Sequence, residues 1–231
     1  MPFKTLGLHP SLVHAIKELG YAEPTPVQAG AIPPALTGRD VLATAQTGTG
    51  KTAAFLLPIL HRLIAFPRGS ARALVLSPTR ELAVQIETVC RNLSRHTEVR
   101  SALVVGGHPI GPQERALRVS PDVVVATPGR LLDLIKRGAA KLDRVATLVL
   151  DEADRMLDMG FLPDVKWIVD RMPAREQTLL FSATLPPVIA RLASELLENP
   201  TVVQIGRRST AAVGITQAAY PVPQHLKTAL L

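Results

Sequence analysis

Eight consecutive residues, Ala45-Gln46-Thr47-Gly48-Thr49-Gly50-Lys51-Thr52, lie between the apolar run Val41-Leu42-Ala43 and a stretch of helical character from Thr52 to Phe66. Gly48 and Gly50 let the backbone turn with its N–H groups inward, so that a polyphosphate rests on those donors and on the positive end of the helix dipole. Lys51 then sets a point charge on the outer phosphates, and the Thr52 hydroxyl is a ligand for Mg²⁺ bound to them. Ala45 stands where the pattern G-x-x-x-x-G-K-[ST] has its first glycine, so the match to that pattern is incomplete. Further on, the apolar run 147–150 ends directly in Asp151-Glu152-Ala153-Asp154. Asp151 is suited to holding Mg²⁺, usually through water, and Glu152 to orienting and deprotonating an attacking water. Taken alone, the same residues read as an acidic turn capping a helix. Ser182 and Thr184 supply two hydroxyls that could hydrogen-bond to Asp154 and, if they do, would make a lever between the nucleotide and the rest of the protein.

These groups need a scaffold that brings distant residues together. Apolar runs at 41–45, 73–77, 101–105, 122–126, 147–150, 178–181 and 201–205 alternate with helical-period stretches, which predicts an α/β fold: a mostly parallel sheet with helices on both faces. Val123-Val124-Val125 and Leu148-Val149-Leu150 are apolar at every position, as strands buried on both faces require. In such a sheet ligands gather outside the carboxyl ends of the strands. The loops there carry Pro78-Thr79-Arg80, then Gly106-Gly107, then Thr127-Pro128-Gly129-Arg130. Each singly is as well read as an ordinary capped helix start; together they describe a track for a sugar-phosphate backbone without a device for reading base sequence.

Ahead of the first strand, Leu12, Ile16 and Leu19 share one face of a short helix that Gly20 stops. Thr25 is placed to cap a second helix, with Pro26 at its first position and Gln28 one turn in. The Gln28 amide offers the donor and acceptor that an adenine edge requires, and Tyr21 offers a stacking face. Without the neighbouring cradle, both residues read as structural. Pro58 predicts a kink or break in the helix after the cradle. Trp167, Met156 and Met159 read as core, and the spacing of the six histidines suggests no metal site.

At 231 residues the chain makes one sizeable core. Aromatics at 3% leave little for a base-stacking platform, and a net charge of +7 favours a polyanionic partner, although a basic surface alone also accounts for it. Cys90, the single cysteine, lies on the apolar stripe Leu82, Ile86, Val89, Cys90, Leu93 and is assigned to the core. No run approaches the length needed to span a bilayer, and a cytoplasmic protein is the expectation.

In order and spacing, these motifs resemble those of the DEAD-box ATP-dependent RNA helicases, with a bacterial, RhlE-like subgroup as the expected placement. The resemblance runs from Phe3 and Gly20-Tyr21 to Gln28, then through 45–52, 78–83, 106–107, 127–130, 151–154 and 182–184. It covers residues 1–205 as the family's first RecA-like, P-loop lobe. Residues 206–219 then stand as a linker and 220–231 as the start of a second lobe. The resemblance implies ATP and Mg²⁺ as cofactors, with Tyr21, Thr25, Gln28 and the cradle Gln46, Thr47, Gly48, Thr49, Gly50, Lys51 and Thr52 on the nucleotide. It places Thr52 and Asp151 on the metal, gives hydrolysis to Lys51, Asp151 and Glu152, and makes Ser182 and Thr184 the coupling to strand separation. It assigns Pro78, Thr79, Arg80, Gly107, Thr127 and Arg130 to the RNA backbone. The rest of the second lobe, which supplies arginine fingers in this family, is expected as a partner; these residues alone are expected to bind nucleotide, hydrolyse it slowly and unwind nothing. An ATP-gated RNA clamp or scaffold without a need for turnover is the competing reading, and a DNA helicase or another P-loop ATPase is the third.

Overall fold

The computed structural model describes residues 2–172, 175–205, 221–223 and 226. The proposed linker therefore lies outside the described residues, as does most of 220–231. Among the described residues seven short strands form one sheet: β1 (Val41–Thr44), β2 (Ala73–Leu76), β3 (Ser101–Val104), β4 (Val123–Ala126), β5 (Thr147–Leu150), β6 (Gln177–Ser182) and β7 (Thr201–Gln204). Their order is β3-β4-β2-β5-β6-β1-β7 and every pairing is parallel. Parallel neighbours need crossovers, and these are helical. The helices are α1 (Pro10–Glu18), α2 (Pro26–Leu36), α3 (Lys51–Ile64), α4 (Arg80–Ser94), α5 (Ile110–Arg118), α6 (Pro128–Lys136), α7 (Ala153–Asp158), α8 (Leu162–Val169) and α9 (Pro187–Leu196).

Alternate strand residues feed two cores, one on each face of the sheet. Ala73, Val75, Val123, Val125, Val149, Leu179 and Phe181 join Leu12, Ile16, Phe55, Ile86 and Cys90 from α1, α3 and α4. Leu74, Leu76, Val124, Leu148, Leu150 and Leu180 join Leu131, Met156, Ile168 and Ile189 from α6 to α9. Full burial of each such aliphatic side chain contributes about 1.5–3 kcal/mol, which is why these runs dispense with polar alternation.

The register aligns the strand ends that matter. Leu76 pairs with Leu150, Leu150 with Leu180, and Thr44 with Ser182. The ladder continues one step past the strands, where Asp151 donates its N–H to Leu76 O at 3.0 Å and Ala45 donates to Ser182 O at 3.0 Å. The residues following β1, β2, β5 and β6 thus emerge side by side.

Two expectations are corrected here. Pro58 does not interrupt α3, which runs unbroken from Lys51 to Ile64. Leu56, Leu57, Ile59 and Leu60 around it are buried, and their packing against the sheet outweighs the missing hydrogen bond. Met159 is 47% exposed, because α7 ends at Asp158 and the chain turns outward through Gly160. Met156 is core, while Trp167 is half-buried with the Arg171 guanidinium 3.3 Å from its ring centroid.

Candidate nucleotide site and adjoining basic track

A cleft of about 720 Å³ opens at the carboxyl ends of these strands, lined on one side by Tyr21, Thr25 and Gln28 and on another by Thr47, Gly48, Gly50, Lys51 and Thr52. Asp151 and Glu152 form its floor, and Thr79, Leu82 and Gln85 of the α4 start complete the wall.

Gly48 (φ 79°) and Gly50 (φ 92°) both occupy the left-handed region, which a side chain would strain. At Gly50 there is also no room: an added Cβ would stand 2.5 Å from Gln28 Nε2 and 3.2 Å from Thr25 Oγ1. The loop is held from inside. Lys51, itself buried, donates to Ala45 O at 2.9 Å, and Thr49 Oγ1 donates to Gln46 O at 2.7 Å.

Gln28 has a second role that its sequence position does not reveal. Its Nε2 donates to Gly50 O at 3.0 Å, and its Oε1 accepts from the Thr25 N–H at 3.0 Å. The first bond ties the α2 start to the glycine loop; the second is one half of a capping box. The other half sets the Thr25 side chain against the backbone N–H of Gln28.

Asp151 is 1% exposed. Burial pushes its carboxyl up to about 7 against the pull of Lys51, and neighbouring Glu152 pushes the same way. A divalent cation at this position offsets the desolvation, and the hard oxygens of Asp151 and Thr52 suit Mg²⁺. Glu152 holds φ 52° and ψ 53°, a left-handed conformation that costs a non-glycine residue about 1–3 kcal/mol and that clusters at functional sites. Its Oε2 accepts from Arg155 Nη1 at 3.2 Å. Arg155 lines the cleft, as do Glu23, Glu81 and Gln85, and the motif reading singled out none of them. The position of Arg155, one turn beyond Glu152 on α7, was the available signal.

Asp154 is joined to the end of β6. Thr184 donates to Asp154 Oδ2 from both its N–H and Oγ1, each at 2.8 Å, while Ser182 Oγ accepts from the Asp154 N–H at 3.1 Å. Partial burial raises the Asp154 carboxyl, but the Thr184 and Ser182 hydrogen bonds outweigh it and hold the group below the usual carboxylate range.

Beside the cleft, Arg80 and Gly107 meet directly. Gly107 (φ 74°) leaves a notch occupied by the Arg80 guanidinium, and any Cβ there would overlap Nη1. Arg130 Nη1 donates to His108 O at 2.9 Å. Arg80 and Gly107 are exposed, whereas Pro78 and Thr127 are buried beneath the loops. Thr79 lines the cleft and caps α4, accepting from the Leu82 N–H at 3.3 Å.

A parallel sheet with a glycine loop between β1 and α3 and an acidic motif after β5 is the RecA-like P-loop domain. A model of the DEAD/DEAH box helicase family matches residues 25–192, and the chain belongs to that family. It is 48% identical over 229 residues to "Probable ATP-dependent RNA helicase ddx27" of Dictyostelium discoideum, an overlap of 97% of this chain and 29% of that protein. It is 45% identical over 223 residues to "DEAD-box ATP-dependent RNA helicase RhpA" of Helicobacter pylori, covering 96% and 45% of the two chains. The crystal structure of a DEAD box protein from the hyperthermophile Methanococcus jannaschii superposes with a TM-score of 0.84 at 38% identity, over 88% of this chain and 56% of that one. The chain thus spans less than half the length of these two relatives. Among the described residues no helix is long and apolar enough to cross a membrane.

Proposed function

We propose that residues 1–205 form the nucleotide-binding lobe of an ATP-dependent RNA helicase, which locally separates RNA strands or remodels RNA–protein complexes. The observation that carries this reading is the convergence of Gln28, Lys51, Thr52, Asp151 and Glu152 on one cleft, with Arg80 and Arg130 on the neighbouring loops.

In this reading Tyr21 and Gln28 border the adenine, and the amides of Gln46 to Gly50 receive the phosphates. Lys51 places its charge on the outer phosphates. Mg²⁺, when bound, is held by Thr52 and Asp151 and neutralises charge building on the phosphate oxygens. Glu152 orients the attacking water and takes its proton as the new P–O bond forms and the bond to the departing diphosphate breaks. The hydrogen bonds of Asp154 to Ser182 and Thr184 pass displacement of the acidic motif to the end of β6. Thr79, Arg80, Gly107, Thr127 and Arg130 serve the RNA backbone, Thr127 from beneath its loop. Contacts of this type are independent of sequence.

Residues 206–219 are proposed as a linker to a second RecA-like lobe, whose arginine fingers would be worth about 10³–10⁵ in rate. These 231 residues by themselves are then expected to bind adenine nucleotide, turn it over slowly and separate no duplex. Calorimetry with ATP, ADP and Mg²⁺ tests the reading: the chain binds, and Lys51→Ala abolishes or strongly weakens the triphosphate. Indifference to adenine nucleotide at millimolar concentration overturns it. Vigorous RNA-stimulated hydrolysis by these residues alone overturns the two-lobe part.

A further inference from the structure

We propose that His14, Glu18 and His96 form a site for a divalent transition-metal ion of the zinc type, clamping α1 to the C-terminal end of α4. The site lies apart from the nucleotide cleft, and neither the helicase motifs nor the relatives' names assign it.

The fold brings these groups together. Leu12 and Ile16 of α1 share a core with Ile86, Cys90 and Leu93 of α4, which fixes the two helices against each other. His14 and Glu18 lie four residues apart on the outer face of α1. α4 ends at Ser94, so Arg95 and His96 fall beside that face. His14 Nε2 is 3.3 Å from Glu18 Oε1, and His96 Nε2 is 2.8 Å from Glu18 Oε2. The two imidazole rings lie 4.5 Å apart between centroids, and one ligand atom from each of the three residues lies within 4.8 Å of the others.

Zinc bonds of about 2.0–2.2 Å in a tetrahedron set neighbouring ligand atoms about 3.3–3.6 Å apart. The 3.3 Å separation of His14 Nε2 from Glu18 Oε1 already matches that edge, while His96 Nε2, now 2.8 Å from the other oxygen, Oε2, must exchange its hydrogen bond for the ion by a side-chain rotation. Two imidazoles and one carboxylate are a donor set for zinc, cobalt or nickel rather than for magnesium or calcium. The side chains of Glu18 and His96 are about one-third exposed, which leaves an entry path and a fourth position for water. Arg95 Nη1 donates to Glu18 Oε2 at 3.1 Å and orients the carboxylate as an outer-layer partner. The spacing of histidines along the chain hides the site, because one ligand is a glutamate and the third is 82 residues from the first.

Its position assigns it a structural task. α1 leads through Gly20 into Tyr21 and Thr25 at the cleft, while the opposite end of α4 supplies Thr79, Leu82 and Gln85 to the same cleft. An ion joining α1 to α4 braces two of its walls from behind.

The test uses the chain stripped with chelator and titrated with Co²⁺, then Zn²⁺. One Co²⁺ binds per chain with the visible absorption of a tetrahedral centre, Zn²⁺ displaces it, and zinc raises the melting temperature reversibly. His14→Ala, His96→Ala and Glu18→Gln each lower affinity by about 10- to 100-fold or more, the range already seen for outer-layer partners. Far-UV circular dichroism establishes that each variant is folded, and Glu18→Gln preserves side-chain shape. Binding that survives these substitutions overturns the proposal, since the ion then resides on other histidines; so does the lack of any Co²⁺ spectrum at millimolar metal.

Discussion

Replacing Gln28 by alanine tests whether this side chain is a structural tie as well as a nucleotide contact. The change deletes two hydrogen bonds of 3.0 Å, one to the carbonyl of Gly50 and one from the N–H of Thr25. Bonds of this kind contribute about 0.5–1.5 kcal/mol each, so a loss of about 1–3 kcal/mol is expected in the absence of any nucleotide. Each kcal/mol lowers the melting temperature of a chain of this size by about 2–4 °C, and a central value of 2 kcal/mol gives about 4–8 °C. Gln28→Glu sharpens the test. It retains an acceptor for Thr25 but turns an oxygen toward the Gly50 carbonyl, where no hydrogen remains to join them, and it buries a charge. Its loss should therefore exceed that of the alanine variant. Thermal and urea unfolding of nucleotide-free wild type, Gln28→Ala and Gln28→Glu supply the three numbers. If nucleotide affinity falls while nucleotide-free stability is the same in all three, the bonds to Gly50 and Thr25 contribute nothing and the tie is refuted.

Gly107→Ala pushes Arg80 out of its notch and forces a left-handed alanine, which costs about 1–2 kcal/mol. Gly106→Ala meets open space at an ordinary backbone angle. Fluorescence anisotropy with single-stranded RNA should show weakened binding for the former and near-normal binding for the latter, and equal affinities would remove Arg80 from the track. Cys90 is fully buried, and burial raises its thiol from 9.0 to about 12. The native chain should therefore leave an aromatic disulfide reagent unreacted at pH 8 and release one thiol on unfolding. Between pH 9 and 12 the unfolded thiol is ionised while the folded one keeps its proton, so this group's contribution to stability falls as pH rises. Stability rising across that window, once other titrating groups are matched in a Cys90→Ala control, would contradict the burial argument.

The inner strands β4, β2, β5, β6 and β1 were legible because both faces of the sheet are dry there, and stretches such as Leu148-Val149-Leu150 have only one comfortable setting, whereas the edge strands β3 and β7 alternate buried with less buried residues. The loop at 45–52 was legible because its glycines, lysine and threonine are adjacent, so local spacing carries the chemistry. What sequence alone hid depends on three-dimensional company. Nothing in the string near Gln28 announces that its amide reaches a carbonyl 22 residues away. Nor does the string around Gly107 announce that its neighbour is the Arg80 side chain, supplied by a different crossover. Pro58 reads as a breaker because its cost is local, whereas the packing that overrides it comes from the whole sheet. His14, Glu18 and His96 meet only because apolar residues on the inner sides of α1 and α4 dock.

The opening turn of α4 looks in two directions at once. Thr79, Leu82 and Gln85 line the cleft, while Arg80 between them plugs the gap left by Gly107 on the neighbouring crossover. On the proposed reading, with a triphosphate in the cleft and Arg80 on the RNA backbone, a tilt of this turn toward one ligand would also move the guanidinium that meets the other, and the two would share a single pivot.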